Sequence, residues 1–166
     1  MSPNLPSGYS KSSIDSFAEE IGKYLNFNPL KDSIENVIKQ LGGKIEYVED
    51  IVVTEGSMEV KSSKDFLIKL PQTALTEKNN FTLAHELGHY VLHAKAGKIP
   101  GVFSRPLIGS TTDRLEWEAN WFAAGFLMPH GLFEKMHKQG NDLWALAEIF
   151  KVSYKAAEVR SQFLNL

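Results

Sequence analysis

The sequence predicts an α+β domain in which a small antiparallel or mixed sheet packs on one helix, with the rest of the chain mostly helical. Three changes of period predict it. Apolar residues recur every three or four positions from Ser12 to Leu41. They alternate with polar ones between Lys44 and Leu70, and the helical spacing then returns for most of the remaining chain. With 166 residues and 43% hydrophobic content, the chain is long enough to build one core of moderate size.

Taken in order, residues 1–11 are rich in Ser, Pro, Asn and Gly and are expected to form a flexible arm. The first helix starts at Ser12 and carries Ile14, Phe17, Ala18, Ile21 and Leu25, and Pro29 marks a break. A second helix is expected from Asp32 to Leu41, with Gly42 and Gly43 as its stop signal. "KIEYVED", "GSMEVKS" and "DFLIKL" have the pattern of short strands, with a turn at Ser62 to Lys64 and an end at Pro71. The next helix runs from Thr76 or Asn80 to His93. Residues 94–112 are punctuated by glycine and proline and are expected to be a long loop, forming part of a cleft or a mobile lid. A fourth helix spans Asp113 to Pro129, with Trp117, Trp121, Phe122 and Phe126 as core aromatics. A short helical piece follows, then two helices broken at Val152 and Ser153. The expected organisation is an arm (1–11), a principal domain (12–130) and a C-terminal helical segment (131–166) packed on that domain.

Composition excludes several classes. Eighteen Lys and Arg against twenty Asp and Glu give no basic excess, so direct nucleic-acid binding is not expected. The absence of cysteine excludes disulfides, thiolate ligands and a cysteine nucleophile. No apolar run approaches the ~18 residues of a membrane span, and the N-terminal residues lack a secretory pattern. The expected location is cytoplasmic.

"FTLAHELGHYVLH", Phe81 to His93, puts three of the five histidines into nine residues. On a helix at ~100° per residue, His89 lies ~40°, His93 ~80° and Glu86 ~100° from His85, while Leu83, Leu87, Tyr90 and Val91 fall in the opposite sector. A helix that needed only solubility would carry Lys, Glu or Gln there. Two imidazoles one turn apart can hold one ion, and zinc takes neutral histidine nitrogens. Glu86, next to His85 but rotated off the ligand positions, suits a general base for an attacking water. Gly88 costs the helix ~1 kcal/mol relative to alanine, and its missing side chain would permit close approach of another element.

Two histidines need a third donor. His93 lies two turns from His85 and would strain to reach the same ion, so a supporting or substrate-facing role suits it better. The fourth helix carries Glu116 and Glu118 amid apolar residues, where a carboxylate is costly unless paired or metal-bound. Glu116 and Asn120 are i and i+4, so Glu116 could bind the ion while Asn120 orients a ligating histidine. Glu118, about 160° away from Glu116, is the alternative third ligand. A capping box of Asp113 and Glu116 is the competing structural explanation.

"FTLAHELGHYVLH" followed by "LEWEANWFAAGFLMP" resembles the ImmA/IrrE family of zinc metallopeptidases. The resemblance covers at least Phe66 to Pro129, and the tail "LAEIFKVSYKAAEVRSQFLNL" fits as well. It implies a zincin-like, gluzincin-like core with a small sheet on an active-site helix. It makes His85, His89 and Glu116 the ligands of Zn2+ and Glu86 the catalytic base. Family members include bacterial and mobile-element proteins that cleave, or act on, helix-turn-helix repressors, which implies a regulatory protease with a protein substrate. On that reading "DFLIKLP" is expected to be an edge strand to which an extended peptide adds. Tyr90, His93, His130, His137 and Tyr154 are the candidates for stabilising the oxyanion. The competing function is a non-cleaving regulator that binds a repressor or DNA through "LAEIFKVSYKAAEVR". That segment has only Lys151, Lys155 and Arg160 as cations, with Glu148 and Glu158 against them, so a packing helix pair bordering a peptide cleft is the better expectation.

Overall fold

A computed structural model describes residues 5–49, 56–72, 75–104 and 113–166. The described elements are α1 (Lys11–Tyr24), α2 (Ile34–Gln40), β1 (Gly43–Val48), β2 (Ser57–Ser62), β3 (Asp65–Pro71), α3 (Thr76–Gly88) continued by a π-helical turn (His89–His93), β4 (Gly101–Ser104), α4 (Asp113–Leu127), α5 (His130–Lys138), α6 (Leu143–Phe150) and α7 (Tyr154–Leu164). Helix starts follow local chemistry. Ser10, Ser33, Asp142 and Ser153 each accept a backbone N–H of the first turn of α1, α2, α6 and α7. Between α2 and β1, Gly42 adopts φ +87°, and a Cβ there would lie 2.5 Å from the Lys64 carbonyl oxygen, so the stop signal also seats the β2–β3 turn.

The sheet is mixed, in the order β1-β3-β2-β4. β1 runs parallel to β3, from Gly43 opposite Phe66 to Val48 opposite Pro71, while β2 is antiparallel to both β3 and β4. β3 is therefore interior, and the edge-strand expectation for "DFLIKLP" is corrected. Its alternation of buried Phe66, Ile68 and Leu70 with less buried residues reports one covered face and carries no information about lateral neighbours. The edges are β1 and β4. β4 lies inside the stretch expected to be loop. Its four residues, bounded by Gly and Pro, are too short to establish a period. Residues 105–112 of the expected lid lie outside the described residues.

One face of the sheet (Met58, Val60, Phe66, Ile68, Leu70 and Phe103) packs into a single core cluster with Leu83 and Leu87 of α3 and Phe122 and Phe126 of α4. Ile14 of α1 and Phe133, Phe150 and Ala157 of α5 to α7 join the same cluster. Trp117 does not: its side of α4 faces solvent and the residue is 54% exposed, which corrects its assignment to the core. Arg160 of α7 is fully buried. It donates from Nη1 to Asp15 of α1 and from Nε to the Met128 carbonyl at 2.8 Å, joining α1, the end of α4 and α7. Among the described residues no helix is long and apolar enough to cross a membrane.

Candidate metal centre

α3 follows β3 closely and packs along α4. The two helices lie close together where Gly88 lacks a side chain: a Cβ there would stand 3.1 Å from Ala119 Cα and 3.2 Å from its carbonyl oxygen. That proximity brings Glu116, one turn earlier on α4, against the histidines of α3. Its Oε2 lies 3.1 Å from His85 Nε2, its Oε1 lies 3.3 Å from His89 Nε2, and the two Nε2 atoms are 3.1 Å apart. One donor atom from each of the three residues falls within 4.8 Å of the others. The two histidines are buried, whereas the Glu116 side chain is 18% exposed, leaving the cluster an approach from solvent. The Glu116 carboxylate thus faces both histidines, as the metal reading of the sequence expects, while the Asp113 side chain of the alternative capping box lies outside what is described.

The outer ring atoms fix the proton positions. His85 Nδ1 is 2.8 Å from Asn120 Oδ1, one turn along α4 from Glu116, so Nδ1 carries the hydrogen and Nε2 presents a bare lone pair. His89 Nδ1 faces His93 Nδ1 at 2.9 Å, and His93 Nε2 faces Glu118 Oε2 at 3.0 Å. The π-helical turn, marked by the Ala94 N–H donating to the His89 carbonyl at 2.9 Å, sets His93 behind His89. Burial pushes the His89 imidazole down to about 4, with the nearby histidines adding to the fall and Glu116 opposing it. Burial would raise the Glu116 carboxyl, but its contacts with His85 and His89 outweigh it and hold the group below the usual carboxylate range. Two neutral imidazole lone pairs and a carboxylate converge on one point, an arrangement costly by itself and relieved by a divalent cation. The donor set fits a metal with two nitrogen ligands and one oxygen ligand.

Glu86 is buried, and its Oε1 would lie 3.3 Å from a Cβ placed on Gly56, just ahead of β2. Phe103 of β4 packs on the His89 ring, centroids 5.3 Å apart, so the strand that is outermost among the described residues runs beside the cluster. Other sequence candidates lie elsewhere. Glu118 points away from the cluster and is engaged with His93 and Arg114. Tyr90 is a core residue stacked on Phe66 at 4.2 Å, not a substrate-facing one. Tyr154 packs at a tilt against Trp144 and lines a cavity with Leu75 to Lys78 at the start of α3, about 10–15 Å of helix rise from His85. His130 and His137 sit on α5. The link from His93 to Glu118 escaped sequence reasoning. Its one available signal was the retention of a second buried-type carboxylate on α4.

The family profile described as IrrE N-terminal-like domain, Peptidase_M78, matches residues 50–162. No curated protein matches the chain. Among solved structures it is similar to a Mycobacterium tuberculosis transcriptional regulator, with 15% identity and a TM-score of 0.62 over 93% of this chain and 47% of that one. The chain thus spans about half the length of that regulator, and the likeness is one of fold. The paired motifs lie within the matched range, and the chain belongs to the IrrE N-terminal-like family of peptidases.

Proposed function

We propose that the chain is a zinc-dependent endopeptidase of the cytoplasm that cleaves a protein substrate, with a helix-turn-helix repressor or similar regulator as the substrate class. The observation that carries this reading is the convergence of His85, His89 and Glu116 on one point, with Glu86 next to His85 on the same helix. Two histidines and one carboxylate with a place left open is a donor set that zinc favours in hydrolytic sites. When bound, zinc would supply a polarised carbonyl and a water of lowered pKa. Glu86 takes a proton from the attacking water at its carboxylate and returns it to the leaving amine nitrogen. Asn120 keeps the His85 ring turned with Nε2 inward. An extended peptide pairs with the outer edge of β4, the outermost strand among the described residues and the one beside His89, in place of the edge first expected on β3. Backbone pairing of that kind suits a protein substrate.

The DNA-binding alternative draws little support from the C-terminal helices. Of their three cations, Arg160 is buried against Asp15 and Lys155 pairs with Glu158. A regulator that binds without cutting shares every site residue and is separated by one substitution. Glu86→Gln is expected to keep zinc and the fold but lose ~100-fold or more of the cleavage rate, and His85→Ala to lose zinc. The experiment combines metal analysis of the purified protein with co-expression beside helix-turn-helix regulators encoded near its gene, watching for truncation. Cleavage by Glu86→Gln at the parental rate removes the assigned base. Stoichiometric zinc with no truncation of any such regulator favours the binder.

A further inference from the structure

We propose that His93 and Glu118 are positioning residues of the metal centre, and that through Glu118 the N-terminal segment at Ser7 and Gly8 is coupled to it. The proposal rests on the zinc reading above and adds residues that touch neither metal nor substrate. Glu118 is completely buried, and its carboxylate receives donors from four residues. Ser7 N–H and His93 Nε2–H reach Oε2 at 2.7 and 3.0 Å, while Gly8 N–H and Arg114 Nε–H reach Oε1 at 3.2 and 2.9 Å. Arg114 Nη2 also donates to the Tyr9 carbonyl at 2.5 Å, so the segment is held from both sides of one ion pair.

The direction of the chain is fixed at its buried end. An ionised carboxylate only accepts, so His93 carries its hydrogen on Nε2 and presents a bare Nδ1. His89 must then donate from Nδ1, which leaves its Nε2 lone pair facing Glu116 and His85. Negative charge at Glu118 makes His93 a better acceptor, and His93 in turn makes His89 a better ligand and locks its ring. Ser7 and Gly8 are two of the four residues that donate to the buried Glu118 carboxylate and fix its orientation. Without them the carboxylate is under-filled and its hold on His93 changes. The segment from residue 7 to residue 9 is therefore a remote handle on His89.

The test measures Zn2+ affinity by chelator competition and the absorption spectrum of the Co2+-substituted full chain. His93→Phe keeps a ring but cannot accept from His89. It is expected to lose ten- to a hundredfold in Zn2+ affinity and to shift the Co2+ bands. His93→Gln, whose amide accepts at one end and donates at the other, is expected to restore most of both. Ser7→Pro deletes the backbone and hydroxyl donors of Ser7 to Glu118, far from the metal, and is expected to weaken Zn2+ several-fold with a Co2+ shift in the same direction. Parental affinity and spectrum in His93→Phe, or no rescue by His93→Gln, overturn the positioning role. If His93→Phe does not fold, as judged by melting of the metal-free protein, the Ser7→Pro result decides, and a parental spectrum overturns the coupling. A parent chain that binds no stoichiometric Zn2+ or Co2+ brings down the zinc reading itself. Tight binding by parent and His93→Phe alike brings down only this proposal.

Discussion

Replacing Gly88 with alanine asks whether the spacing of α3 and α4 is what assembles the metal centre. The added Cβ would stand 3.1 Å from Ala119 Cα, 3.2 Å from Ala119 O and 3.2 Å from Phe122 Cβ, against 3.4–4 Å for ordinary contact. All three neighbours belong to the backbone or first side-chain atom of a buried helix, so no rotamer change relieves the overlap and the helices must part by a few tenths of an ångström. Overpacking of this kind costs ~1–3 kcal/mol, and removing glycine from a helix returns ~1 kcal/mol. The net expectation is a loss of about 1 kcal/mol, which lowers the melting temperature by roughly 2–4 °C for a chain of this size. Glu116 sits one turn before Ala119 and moves with α4, so its carboxylate retreats from His85 and His89 and zinc binding weakens. Thermal unfolding of the metal-free protein and chelator competition measure the two effects. Gly131→Ala on α5 is the control, because a Cβ there meets nothing within 4 Å and only the helix-propensity gain remains. A Gly88→Ala protein more stable than its parent, or one destabilised with zinc affinity intact, refutes the reasoning.

Asn120→Ala removes the 2.8 Å partner of His85 Nδ1 and is expected to weaken zinc roughly tenfold, about 1.4 kcal/mol, while Asn120→Asp retains an acceptor and binds near the parental level; equal affinities in all three proteins count against the orienting role. For the metal-free chain, His89 titrates near 4 when folded against an ordinary 6.5, so between those values the unfolded chain binds the extra proton, and stability falls as pH drops from about 6.5 to about 4. One proton over that window amounts to about 3 kcal/mol, His93 is shifted in the same direction, and a flat urea midpoint across it refutes the burial argument. Asp15→Ala strands the buried Arg160 guanidinium and is expected to cost ~3–5 kcal/mol in urea unfolding; a loss below ~1 kcal/mol means that the Met128 carbonyl and Glu19 suffice.

What was legible in the sequence is what depends on one element at a time. The shared face of His85 and His89, the pairing of Glu116 with Asn120 on α4, and the close approach at Gly88 all follow from helical spacing and residue size. The α+β class followed from the switch of period at Gly42 and Gly43. What escaped depends on partners far along the chain. β3 is interior because β1 returns to it in parallel, a pairing that the alternation within "DFLIKLP" does not encode. β4 acquires its identity from register with β2, not from its four residues. Arg160 has the composition of a surface cation and becomes a core residue only because Asp15 and Met128 meet it there. Trp117 failed in the opposite sense, since an aromatic in an apolar run is ordinarily core and here its angular position on α4 turns it outward.

The π-helical turn explains how His93 comes to stand behind His89. Continued α-helical geometry carries His93 ~40° past His89, as His89 lies ~40° past His85, so each histidine steps further round the helix. Bonding from i to i+5 widens the turn, and the fourth residue no longer overshoots a full revolution. His93 is drawn back beneath His89 and meets its Nδ1 at 2.9 Å, where an α-helix would have directed it to another neighbour. The widened turn forgoes regular helical bonding over a run of buried residues, and what it secures is a second ring behind His89. Glu118 becomes intelligible in the same terms. It faces away from the cluster because it is two residues from Glu116, and that direction is the one from which His93 has to be held. The two carboxylates of "LEWEAN" thus serve the opposite nitrogens of one imidazole, Glu116 at the front of His89 and Glu118, through His93, at its back.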